Sequence, residues 1–87
     1  MVSPPRAGKP AKTYAAIFAE PIRSNIAWDD IEKLFEALGA VVSEGSGSRV
    51  RVKLEGVRAV FHRPHPGNEC GKPTLRDVRR FLKETVI

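Results

Sequence analysis

Two histidines, His62 and His65, lie in the segment FHRPHPGNE at residues 61–69. Imidazole changes charge near neutral pH, so the pair can take up and release protons. Three fates compete for it: a metal site, an acid–base pair, or two inert surface side chains. With no acid or thiol clustered beside them, two imidazoles supply too few ligands for a protein-held zinc. The single cysteine, Cys70, lacks the neighbours of a zinc knuckle and reads as an exposed loop thiol. No metal or other cofactor is therefore expected. Acid–base cleavage of RNA asks for less. A base must take the proton of a ribose 2′-hydroxyl, an acid must protonate the departing 5′-oxygen, and cations must steady the phosphate between them. His62 and His65 are the candidates for the proton steps, and Arg49, Arg51 and Arg63 for the cations. A surface histidine is more often inert, so the elements that carry these residues decide.

The segments RVRVKL (49–54) and VRAVFH (57–62) alternate basic and apolar residues, the pattern of half-buried strands. Glu55-Gly56 between them reads as a two-residue hairpin turn. That turn sets a register: Leu54 opposite Val57, Lys53 opposite Arg58, Val52 opposite Ala59, Arg51 opposite Val60, Val50 opposite Phe61 and Arg49 opposite His62. Val50, Val52, Leu54, Val57, Ala59 and Phe61 then share a core face, while Arg49, Arg51, Lys53, Arg58 and His62 share the other. Like charges placed across from one another cost energy, so a face this basic fits an anionic occupant such as an RNA backbone. The plainer reading is long side chains splayed into water.

The other elements frame this hairpin. Trp28, Ile31, Leu34, Phe35 and Leu38 recur at helical spacing, Asp29 and Asp30 suit the first turn, and Gly39 supplies a stop, which predicts a helix over 28–38. Residues 40–44 (AVVSE) read as a further strand. A last helix is expected from Thr74, with Thr74 and Asp77 as a capping pair and Leu75, Val78 and Leu82 as its buried stripe. Before these, TYAAIFAEP suits a short helix ending at Pro21, and residues 1–12, rich in Pro, Ala, Gly and Lys, read as a disordered basic tail. Pro64 and Pro66 are expected to stiffen the chain around His65. The order predicts an α+β domain over 13–87, α-β-β-β-α, with a three-stranded antiparallel sheet and helices on one face.

Composition narrows the partners. The chain has 87 residues, 41% of them hydrophobic, enough for one modest core. Its net charge of +5 is unevenly spread. Residues 13–48 hold two bases against six acids, while residues 49–80 hold nine bases against three acids. A polyanion is thus expected to meet the second half, with ordinary solubilising charge as the alternative. One cysteine cannot make an internal disulfide, which makes a reducing, cytoplasmic setting the expectation. No apolar run is long enough to span a membrane, and the basic N-terminus lacks the hydrophobic stretch of a secretory signal.

Three segments, DIEKLFEALGAVV, GSGSRVRV and HPGNECGKPTLRDVRRFL, give the region from Trp28 onward a resemblance to the HicA family of bacterial toxins. The resemblance implies a double-stranded-RNA-binding-like fold and a metal-independent endoribonuclease that cleaves mRNA. It also implies a HicB-like antitoxin bound to the active surface. It places the family's loop histidine on His65. Family members usually carry Gly-Ser-His at the start of the second strand, with that histidine assigned to catalysis; here the triplet is Gly47-Ser48-Arg49. Arginine does not exchange protons near neutral pH. Either cleavage has been lost, leaving an RNA- or DNA-binding module or an antitoxin-binding protein, or the chemistry has moved to His62, across from Arg49, with His65 second. Ser48, Arg49, Arg51, Lys53, Arg58 and Arg63 are the candidate phosphate-binding residues.

Overall fold

The computed structural model describes residues 1–65 and 67–87. Pro66, expected to stiffen the loop, lies outside the described residues. The elements run α1 (Gly8–Ile17), β1 (Ile26–Ala27), α2 (Trp28–Ala37), β2 (Val41–Glu44), β3 (Arg49–Leu54), β4 (Val57–His62), β5 (Glu69–Cys70) and α3 (Lys72–Thr85). Strands β2, β3 and β4 form an antiparallel sheet in that order, and β1 pairs with β5 in a separate two-stranded ribbon. The result is the α+β arrangement anticipated, α-β-β-β-α with α1 added in front.

Apolar stripes decide which face is covered. From α2, Trp28, Ile31, Leu34 and Phe35 are buried; from α3, Leu75, Val78, Phe81, Leu82 and Thr85. They meet Val50, Val52, Leu54 and Phe61 of the hairpin. Phe61 is the centre of an aromatic group, its ring centroid 5.6 Å from Phe35, 5.8 Å from Trp28 and 5.9 Å from Phe81. Offset and edge-on rings at such separations attract beyond their area burial. The group joins α2, β4 and α3 through one strand residue.

The β3–β4 register is the one the alternation predicts, from Leu54 opposite Val57 to Arg49 opposite His62. Glu55 (φ 51°) and Gly56 (φ 77°) both take the left-handed conformation, as a type I′ turn requires. Its twist matches that of the flanking strands, which is why a two-residue loop suffices.

Four expectations are corrected. Residues 8–12 are not tail: α1 starts at Gly8, because Pro10 falls in the first turn, where no intrahelical N–H is needed. Val2 also leaves the tail, donating its N–H to the Thr85 carbonyl at 2.9 Å and accepting from Ile87 N–H at 2.9 Å. The last helix begins at Lys72, with Gly71 as N-cap, Pro73 in the first turn and no side-chain cap. Thr74 therefore sits inside the helix, and Asp77 pairs with Arg80 instead, at 3.5 Å. Finally Cys70 is fully buried, since β5 pairs it with Ile26. Burial disfavours the thiolate and pushes its pKa up to about 11.

Candidate functional site

The side of the sheet away from the helices is open. Arg49, Arg51, Lys53, Arg58 and His62 are all exposed on it. Val41 and Val60, 66% and 56% exposed, lie on the same side at its two edges. With Ser43, Arg51, Lys53 and Arg58 they line an open depression of about 430 Å³. Among the described residues none of Arg49, Arg51, Lys53 and Arg58 has a carboxylate within ion-pair distance. The face thus offers uncompensated cations around apolar patches, a combination that suits phosphate groups and acidic polypeptides alike.

His62 ends β4 directly opposite Arg49. The ladder continues one step further, because Arg63 N–H donates to the Ser48 carbonyl at 2.8 Å. Ser48, Arg49, His62 and Arg63 are therefore neighbours in backbone terms, and the β2–β3 loop lies beside the exit of β4. His65 is exposed in the loop beyond. Its segment is held at the far end by the pairing of Glu69 with Ala27 and by Trp28 N–H, which donates to the Asn68 carbonyl at 2.6 Å. Among the described residues neither imidazole takes part in a side-chain hydrogen bond or ion pair. No three His, Cys, Asp or Glu side chains among the described residues converge to hold a metal.

Arg63 differs from the other cations. Its Nε and Nη2 donate to Glu32 Oε2 at 3.2 and 3.0 Å, and its Nη1 and Nη2 donate to the Glu44 carboxylate at 3.1 and 3.0 Å. Glu32 Oε2 also accepts from Trp28 Nε1. These bonds, to Glu44 first and Glu32 second, raise the guanidinium pKa above its ordinary value. One Nη1 proton remains uncommitted, so Arg63 ties β4's exit to α2 and β2 and has little left for a phosphate. Glu32 and Glu44 were not legible in the sequence as its partners; the separations of 31 and 19 residues carry no local signal. Arg79 is similarly committed, its guanidinium donating to the carbonyls of Ile17 and Ala19 and to Glu20.

A family model described as "HicA toxin of bacterial toxin-antitoxin" matches residues 28–85, about two-thirds of the chain. The chain belongs to the HicA toxin family. No curated protein and no solved structure gives a significant match. The match starts at the first residue of α2, so α1 and β1 precede the HicA region. Membership implies an antitoxin partner. Among the described residues, no helix of this HicA chain is long and apolar enough to cross a membrane. Its open basic face, including Gly47-Ser48-Arg49 at the entry to β3, lies wholly within the matched region.

Proposed function

We propose that this HicA chain is a metal-independent endoribonuclease that cleaves mRNA, with its proton chemistry moved from the β3 position to His62. The observation that carries this reading is the pairing of His62 with Arg49: an exposed imidazole stands across one ladder step from the residue that replaces the usual histidine. Neutral His62 takes the proton of the 2′-hydroxyl as its oxygen attacks phosphorus. The P–O5′ bond breaks, and the 5′-oxygen leaves with a proton from an acid, for which His65 in the loop beyond β4 is the candidate. The products are a 2′,3′-cyclic phosphate and a 5′-hydroxyl, so atoms and charges balance without a metal. Arg49 and Arg51 hold the phosphate and offset the charge that builds on it; Ser48, Lys53 and Arg58 hold flanking phosphates. Arg63 serves through Glu32 and Glu44 by fixing where β4 ends.

A HicB-like antitoxin covering the same face would present carboxylates to the cations and apolar groups to Val41 and Val60. The arginine at position 49 also favours a second reading, in which the face binds RNA without cutting it. Incubating purified protein with RNA in the presence of EDTA separates the two. Cleavage to cyclic-phosphate ends, abolished in His62→Ala, supports relocation; full cleavage by His62→Ala removes it. Absence of cleavage by the wild type, with RNA still bound, establishes the binding-only reading.

A further inference from the structure

The open sheet face is not the only concentration of positive charge. Helix α3 carries Lys72, Arg76, Arg79, Arg80 and Lys83. At 3.6 residues per turn these positions fall within an arc of about 100°. The acids of α3 are kept off that arc: Asp77 and Glu84 fall on one flank, where with Arg80 and Phe81 they face β4 across a groove. Arg76, Arg79, Arg80 and Lys83 by themselves line a surface hollow. Among the described residues Lys72, Arg76 and Lys83 have no carboxylate partner, whereas Arg79 is committed to the end of α1 and Arg80 to Asp77. The neighbouring helix α2 has the opposite character, with Asp29, Asp30, Glu32 and Glu36 against Lys33.

We propose that the α3 stripe is a second nucleic-acid contact, separate from the sheet face, that takes the phosphodiester backbone of RNA through Lys72, Arg76 and Lys83. Two properties point to phosphates over an acidic protein. A protein interface needs an apolar centre within its polar rim, and among the described residues the exposed large apolar side chains are Met1, Val41, Val60 and Ile87, none of them on α3. Backbone phosphates require only charge and donors, with no apolar complement. The stripe also has reach: Lys72 and Lys83 are about 16 Å apart along the helix axis, enough to engage successive phosphates. The sheet face, by contrast, mixes cations with exposed valines and an imidazole. The two surfaces thus differ in kind, and binding at α3 does not require that His62 or His65 perform chemistry.

The test compares wild type with K72Q/R76Q/K83Q and with R51Q/K53Q/R58Q, all checked for unchanged thermal unfolding. Fluorescence anisotropy of a labelled 20-nucleotide single-stranded RNA is followed from low to high salt, with poly-glutamate as competitor. Each cation withdrawn from a single strand should lower the slope of log affinity against log salt by about 0.7. The α3 variant is expected to bind about tenfold more weakly in ~0.15 M salt and to show a slope reduced by roughly 2. The sheet variant should keep measurable binding that disappears when both sets are combined. Wild-type affinity and slope in the α3 variant overturn the proposal while leaving the sheet-face function standing. Loss confined to the α3 variant upholds it and removes the sheet face from RNA binding. Poly-glutamate competing as well as RNA for the sheet variant also overturns it, in favour of an acidic protein partner.

Discussion

Arg63 and the arginines of the open face sit within one stretch of sequence, residues 49–63, and are differently employed. Arg63 is bonded through both ends of its guanidinium to Glu32 and Glu44, which lie on α2 and β2. Arg49, Arg51 and Arg58 point from the same sheet with no acid to meet them among the described residues. The first holds the fold's junction together; the others carry charge that no carboxylate among the described residues offsets. Residue type does not separate the two groups. What separates them is whether the strand end brings a carboxylate within reach, and only the exit of β4 does.

The sharpest test of this division changes activity on one side and stability on the other. His62→Ala should lower the cleavage rate about 10²–10⁴-fold, the ordinary worth of a proton-transfer group, without moving the unfolding midpoint. Arg49→His then distinguishes the two accounts of the β3 position: a gain in cleavage means that the family's own site was merely vacant, and a loss means that Arg49 holds phosphate for His62. Arg63→Ala should do the reverse of the face arginines, destabilising the chain by about 1–2 kcal/mol in urea unfolding, because part-buried Glu32 loses its charged partner. Most of that belongs to Glu32, 21% exposed, since the Glu44 half of the junction is 67% exposed and screened by water. Glu32→Gln should therefore cost more than Glu44→Gln. Equal costs would show that burial is not what makes Arg63 different.

Smaller effects are expected where the charges are uncompensated. Arg51→Gln or Arg58→Gln should leave stability within about 0.5 kcal/mol of wild type, since each relieves crowding of like charges. The same changes should weaken RNA binding and flatten its salt dependence. At Cys70 the prediction concerns pH. Its thiol pKa is raised on folding from 9.0 to about 11, so the folded chain keeps a proton that the unfolded chain gives up. The resulting stability is complete below about pH 9 and is lost as pH rises toward about 11. Urea midpoints at pH 8 and 10.5 should fall further apart in wild type than in Cys70→Ala. Last in size, Thr74→Ala should change stability by less than ~0.5 kcal/mol, because no cap is lost.

The open face was legible because every signal for it is short-range. Alternation over six residues assigns the sides of β3 and β4, and a turn that needs two left-handed residues leaves one alignment open to them. The same locality explains the misreadings. Lys and Pro at 9 and 10 look like tail until α2 is there to pack against and Asp30 stands 3.4 Å from Lys9. Thr74 looks like a cap until Gly71 and Pro73 open the helix earlier. Cys70 sits in a polar loop by sequence and in the core by structure, because β1, far ahead of it in the chain, pairs with it.

By itself, the sequence determined that β3 and β4 pair, how they align, and which side of the hairpin is basic. These follow from dihedral preferences and from side chains that alternate every second residue, neither of which needs a distant partner. The tertiary structure alone decided that Arg63 is a brace, that Arg79 closes the end of α1, and that Cys70 is buried. Each rests on groups tens of residues apart that meet only once α2, α3 and the sheet have packed, so their energies come from docking and leave no mark on local pattern.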